Sequence, residues 1–481
     1  MMAEGRTAGS ALLVNVGNRD LLLDGQEIRP ARERGLELLE RFDQHRERLT
    51  MPIITPLLDY FEQKGEALAR VVLFATDQAE EAEPRFRSTD TLHFAEIARR
   101  LIQARTKGRL EVVLRLLRDL NPSQYDETYA FYQRDLRGRK MTDGINRWYV
   151  AASGGTPAMN QGLLLAAIER FGDFCQVLYL RQGAPLPEPL DLGGRIRQSI
   201  FRQLACGYLD RYDFAAARMA LERLPGRELE ARLADYGAAR LNFDHQGAWQ
   251  IADAVHARAQ GRERLFVQVL REEARALRDG DASLLLAELY HKARVCYQNG
   301  AYKEFLVFLF TLDEYVLQEV IRRELGIDMS SDDWKDQERR RRQVAERPEL
   351  QAFLEAQRTE SGEPLRYERA TRIALGAHLD FLIERPPTET GISEARAAEL
   401  TELRQIDRWL NAPALARLRN RAVHGTGGAS REAITAAYCE AAGAERDLLA
   451  DLAVLVRGAG ARPGPWTLDT LREHIRDRLG D

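Results

Sequence analysis

Five short apolar, β-branched runs fall within the first 181 residues, and after them the alternation of strand-like and helix-like patterns disappears. They are Ala11–Val16, Arg70–Ala75, Leu110–Leu116, Arg147–Ala152 and Cys175–Leu180. Between them lie stretches of helical periodicity: Arg34–Gln63, expected to break near Pro52 and Pro56, then Thr91–Gln103, Asp126–Arg137 and Ala158–Arg170. A parallel strand pair needs a crossover, so strand and helix alternating at this spacing predict a mostly parallel sheet with helices on both faces. The N-terminal region therefore reads as Rossmann-like.

Gln182–Gly194, rich in Pro and Gly, suits neither kind of element and is expected to mark a domain edge. Beyond it only helical spacing persists, as at Ile196, Ile200, Phe201, Leu204 and Leu209. Segments beginning at Tyr212 and Phe243 share an aromatic, Asp, small-residue pattern, with a looser third copy from Asn299. They fit stacked helical hairpins of tetratricopeptide type and an irregular helical bundle equally well. Further helices are predicted at Tyr302–Leu325, Arg366–Ile383, Ser393–Leu410, Ala414–His424, Ser430–Val456 and Leu468–Leu479. The expected fold class is α/β followed by all-α, in three regions at 1–190, 191–300 and 301–481.

Charge and composition narrow the function. Seventy basic residues against seventy-four acidic ones leave a net charge of −4, which argues against coating nucleic acid by bulk charge but permits a focused anion site. The run Arg339–Arg342 follows four acids in the polar stretch Ser330–Gln343 and is expected to be a solvated helix face. No apolar run approaches the ~20 residues that span a bilayer, and the first twenty residues lack a signal-peptide pattern, so a cytoplasmic protein is expected. Cys175, Cys206, Cys296 and Cys439 form no CxxC pair, and neither a metal site nor a disulfide framework is signalled.

Two segments carry chemistry. The first runs from an apolar strand into Ser153, Gly154, Gly155 and Thr156, with Pro157 at the start of a helix that includes Asn160. Such a turn offers a ligand close backbone approach and a helix N-terminus, although the same pattern also serves as a plain tight connection. Two other strand ends point to the same edge: Gly17, Asn18, Arg19 and Asp20 after the first strand, and Thr76 and Asp77 after the second. A GxGxxG fingerprint is missing, which disfavours a nicotinamide or flavin dinucleotide. The second segment is ALARLRNRAVHGTGG, which sets Arg419, Asn420 and His424 at a helix end closed by Gly425, Gly427 and Gly428. Arginine gives a permanent forked cation and histidine a proton carrier near neutral pH. Locally, a histidine in the last turn also compensates the helix dipole, and Arg419 and His424, five apart, do not share a helix face.

Together these motifs resemble the CARF–HEPN ribonucleases of type III CRISPR systems. VNVGNRDL and SGGTPAMNQG are similar to the two ligand-facing turns of a CARF (CRISPR-associated Rossmann-fold) domain, and RNRAVH matches the HEPN pattern of Arg, Asn and a following His. The resemblance implies a homodimer whose CARF domains bind a cyclic oligoadenylate, with cyclic tetra-adenylate favoured over hexa-adenylate. It implies a metal-independent, single-stranded endoribonuclease of antiviral defence, with Arg419, Asn420 and His424 catalytic and the residues at the three strand ends binding the activator. Neither DNA nor a membrane is expected as a partner. The rival expectation is a cyclic-nucleotide-binding scaffold with a non-catalytic HEPN dimerisation module. Many CARF domains place Lys after Gly-Gly-Thr; Pro157 stands there in this chain.

Overall fold

The computed structural model describes residues 9–138, 142–359, 361–424, 427–461 and 465–480. The chain divides into two compact units, 1–200 and 201–481, with the division inside the helix Leu192–Asp210.

The strands of the first unit are β1 (Gly9–Asn15), β2 (Leu22–Leu23), β3 (Gln26–Glu27), β4 (Leu49–Thr50), β5 (Leu68–Asp77), β6 (Glu111–Arg118), β7 (Ile145–Ala151), β8 (Cys175–Tyr179) and β9 (Glu188–Leu190). The main sheet has the order β6-β5-β1-β7-β8-β9, parallel throughout except for the last pair. All seven residues of β1 are buried, as a strand covered on both faces requires. Alternate side chains enter different cores. Leu12 and Val14 pack with Phe94 and Ile97 on one face, and Ala11 and Leu13 with Tyr132 and Leu163 on the other. From β1 the chain first builds outward through β5 and β6, then returns to the opposite side of β1 with β7. Strand order thus reverses between β1 and β7, where an α/β sheet opens a crevice at its carboxyl edge.

Two features of this unit differ from expectation in part. The helical stretch Arg34–Gln63 does break at Pro52, into helices Ala31–Glu40 and Ile54–Lys64, but Pro56 stays inside the second, and the break holds a short Phe42–His45 turn of helix and β4. β4 joins β2 and β3 in a small antiparallel sheet. The hairpin turn is Asp24-Gly25, both at positive φ, a strong two-residue hairpin signal. Gln182–Gly194 also does form regular structure: β9 pairs antiparallel with β8, and Pro189 is tolerated because β9 is an edge strand.

The second unit is helical. Tyr212 and Phe243 sit at φ 58° and 57°, each followed by an Asp that caps the next helix by accepting from a backbone N–H, Ala216 at 3.0 Å and Gly247 at 2.8 Å. The N–H of Asp213 donates to Tyr208 O at 2.9 Å and that of Asp244 to Ala239 O at 3.0 Å. Asp281 repeats the pattern to Ala276 O and Ala301 to Cys296 O, with Gly280 and Gly300 at the left-handed position. The aromatic-Asp signature at Tyr212 and Phe243 is thus one spelling of a left-handed turn that recurs with glycine at Gly280 and Gly300, and the Gly280-Asp281 copy carries no aromatic to announce it. The helix Tyr302–Leu325 has the predicted bounds. The predicted Ser430–Val456 helix is two, Arg431–Ala442 and Leu448–Gly458, parted by Gly443 at φ 68°.

Of the arginine run in the helix Trp334–Ala345, Arg339, Arg341 and Arg342 pair with Asp336, Glu368 and Glu338. Arg340 departs from the expected solvated face: it is 1% exposed and donates to the Glu368 carbonyl at 2.5 Å.

A buried ionic cluster ties three helices to the turn before Pro413–His424. Arg372 pairs with both Asp313 and Asp407, and Arg404 with Asp407 and Asp380. Asn411 donates to Asp313 Oδ2 at 3.0 Å and to the Asp407 carbonyl at 2.7 Å. Burial pushes the Asp313 carboxyl up to about 7 against the pull of Arg372. Arg372→Met strips Asp313 of its cation, and we expect a loss of about 3–5 kcal/mol in stability by denaturant unfolding; a loss below about 1 kcal/mol would show that the cluster holds nothing together.

Candidate functional site

The carboxyl edge of the first sheet encloses a cavity of about 370 Å³. Its lining includes Gly17, Asn18, Arg19, Asp20, Thr76, Gly154, Gly155 and Thr156, so the turns after β1 and β7 and the end of β5 meet as expected. Three other expected residues are placed elsewhere. Asp77 is held by Arg32 at 3.0 Å and Arg118 at 3.1 Å. The Ser153 hydroxyl accepts from the Leu180 N–H at 3.3 Å. Asn160 Oδ1 accepts from Asn15 Nδ2 at 3.0 Å, and Asn15 Oδ1 accepts from the Tyr132 hydroxyl at 2.7 Å, a chain beneath the turns.

Sequence reading missed Gln78, Thr89 and Thr91, which also line the cavity. Thr91 Oγ1 donates to Val16 O at 2.8 Å and accepts from the Thr76 N–H at 3.2 Å, joining the ends of β1 and β5. Gln78 is anchored by buried Asp90, which accepts its N–H at 2.9 Å and also pairs with Arg32 at 2.7 Å. Adjacency of Gln78 to the Thr76-Asp77 strand end was the available signal; Thr91 lies fifteen residues beyond Thr76 and only the fold brings it back.

The glycines serve the meeting of the two turns. A Cβ on Gly17 would lie 2.6 Å from the Gly155 nitrogen, and one on Gly154 would lie 2.3 Å from the Asn15 carbonyl oxygen. Gly154 and Gly155 also sit at φ 88° and 69°. The turns are therefore in backbone contact with each other, and a side chain at Gly154 or Gly155 would disturb the turn itself. Thr156 caps the helix Pro157–Phe171, its Oγ1 accepting from the Met159 N–H at 3.1 Å and donating to the Pro122 carbonyl. That helix directs its N-terminal end at the cavity edge, favouring an anionic or acceptor-rich ligand.

Electrostatically the site is sparse. Arg19 brings a cation, 78% exposed and 3.0 Å from Glu27. Asp20 is 2% exposed, and its Oδ2 accepts from the Gly17 N–H at 2.5 Å while Oδ1 has no partner among the described residues. Burial pushes its carboxyl up to about 7, opposed by the Gly17 hydrogen bond. The folded chain thus keeps this proton up to about pH 7, whereas an unfolded chain releases it near 4. Stability from this group falls as pH rises between those values.

In the helical unit, Pro413–His424 carries the second motif. Arg419 is half-buried, with its guanidinium carbon 4.5 Å above the centre of the Phe310 ring and its Nε donating to Asn420 Oδ1 at 3.1 Å. No carboxylate pairs with Arg419 among the described residues. The expected catalytic His424 ends the helix, and its side chain lies outside the described residues, as does Gly425. Among the described residues no group of three or more His, Cys, Asp or Glu could hold a metal ion, and no helix is long and apolar enough to cross a membrane.

The Asp20 shift gives a direct test. Asp20→Asn should gain stability relative to the parent as pH rises from 4 to 7.5, the difference growing by about 2–4 kcal/mol in parallel denaturant titrations; a difference that does not change with pH would mean that Asp20 titrates normally.

No protein-family profile matches the chain, and no curated protein matches it in sequence. Among solved structures it is similar to Enterococcus italicus Csm6 bound to cyclic hexa-2′-fluoro-hexa-dAMP, at 13% identity and a TM-score of 0.55. The likeness covers 98% of this chain and 100% of that one, so it spans the α/β unit and the helical unit alike. The chain has the fold of Csm6, a CARF–HEPN ribonuclease.

Proposed function

We propose that the chain is a cyclic-oligoadenylate-activated, metal-independent endoribonuclease of CRISPR antiviral defence, acting in the cytoplasm on single-stranded RNA. The observation that carries this reading is the end-to-end likeness to Csm6, solved with a cyclic hexa-dAMP analogue, in a chain that keeps RNRAVH in its helical unit. In this reading residues 1–190 are the CARF sensor, 191–300 a connecting region and 301–481 the HEPN domain. The activator lies over Gly17 to Asp20, Thr76 and Gly154 to Thr156, where turn amides and the helix N-terminus offer donors to phosphate. Asp77, Ser153 and Asn160 support those turns from behind. Cyclic tetra-adenylate is the proposed activator; the ring of six nucleotides bound by Csm6 favours cyclic hexa-adenylate as the second reading.

Cleavage needs no metal because the ribose 2′-OH is an internal nucleophile. Its oxygen attacks phosphorus, the bond to the 5′-oxygen breaks, and a 2′,3′-cyclic phosphate and a 5′-OH result. His424 assists loss of the 2′-OH proton, and Arg419 with Asn420 holds the phosphate. An arginine with no carboxylate partner among the described residues suits that task, because its forked donors are free for phosphate. Arg419 and His424 from two chains of a homodimer meet across the two-fold axis, which removes the difficulty of their five-residue spacing.

Fluorogenic RNA, incubated with each cyclic oligoadenylate in EDTA, should be cut by the parent chain. His424→Ala should reduce the rate by about 10²–10⁴-fold with fold and dimer intact. Cleavage that needs a divalent ion, or an alanine variant as active as the parent, would contradict this mechanism. Arg419→Ala should bind the activator by calorimetry and cut nothing. A parent chain that binds activator and never cuts RNA would favour the scaffold reading.

A further inference from the structure

Arg419 is gripped in two places, and among the described residues no carboxylate claims its terminal nitrogens. Its guanidinium lies over the Phe310 ring at 4.5 Å, and its Nε donates to Asn420 at 3.1 Å. Phe310 is itself 6% exposed and belongs to the core of the helical unit, so the ring is fixed by its surroundings. An aromatic face attracts a cation without consuming its N–H donors, whereas a carboxylate in the same place would occupy those a phosphate needs. Phe310 also stands one turn before Asp313 on the helix Tyr302–Leu325, and Asp313 accepts from Asn411 just ahead of the helix that bears Arg419. One helix therefore holds both the start of the motif-bearing helix and the plane of its arginine.

We propose that Phe310 is a positioning residue for RNA cleavage, its ring orienting the Arg419 guanidinium so that the terminal N–H groups face the scissile phosphate. The proposal rests on the ribonuclease reading above. It identifies Phe310 as acting through Arg419, without contact to the RNA.

The test is steady-state cleavage by activated dimer, with thermal melts reporting folding. Phe310→Leu and Phe310→Met remove the ring and keep an apolar side chain; kcat should fall about three- to thirtyfold while KM for RNA changes little. Phe310→Tyr restores the ring and should recover most of the lost rate. In Arg419→Ala, added guanidinium should settle on the vacated ring and restore part of the cleavage. That rescue should need several-fold more guanidinium when Phe310→Leu is added. Folded ring-less variants that cut at the parent rate, equal losses in the Tyr and Leu variants, or rescue indifferent to the ring would each overturn the proposal. A parent chain that cuts no RNA with any cyclic oligoadenylate would instead sink the ribonuclease reading, and is recognised before any substitution is made.

Discussion

The α/β unit depends on a backbone contact between two turns. Pairing β7 beside β1 brings Gly17 against Gly155 and Gly154 against the Asn15 carbonyl, at separations a Cβ could not tolerate. The contact exists because strand order reverses there, and it closes one side of the cavity. Asn15, Tyr132 and Asn160 form the polar support below, and Thr91 ties the end of β1 to that of β5. Several groups that first suggest ligand contacts thus serve the turns. The exposed remainder includes Arg19, paired with Glu27, and the helix N-terminus, whose dipole favours an anion.

Much of this was legible in the sequence because both signals are local. A strand buried on both faces reads as a continuous apolar run, and the five predicted runs coincide with β1, β5, β6, β7 and β8 to within a few residues at their ends. The Gly-Gly turn announces itself through glycines and Pro157. What escaped was non-local or very short. Strands β2 and β3 have two residues each, joined by the Asp24-Gly25 turn and backed by the distant β4, and β9 carries a proline that edge position alone excuses. Asp77 is chemically as suited to a ligand as Asp20, and only the packing of Arg32 and Arg118 around it shows that its charge is already used.

The helical unit is held differently. Its recurrent left-handed turn joins one helix to the next, with an Asp cap at Asp213, Asp244 and Asp281, and the aromatic-Asp spelling of that turn was visible where Tyr212 and Phe243 mark it. The cluster of Asp313, Arg372, Asp407 and Asn411 was not visible, since its members come from separate helices and look like ordinary surface charges in the sequence. Burying such a cluster costs desolvation and gives a defined relative placement in return. Here that placement concerns the helix carrying Arg419, whose own charge is met by a ring and an amide.

The central claim is that a cyclic oligoadenylate is read at the meeting of the β1 and β7 turns. Amide hydrogen exchange on the full chain, with and without cyclic tetra- or hexa-adenylate, tests it most directly. The account predicts slowed exchange at residues 17–20 and 153–156 on saturation with one of the rings, because their N–H groups become covered or immobilised. Saturable binding that leaves both turns exchanging at the free rate would contradict it.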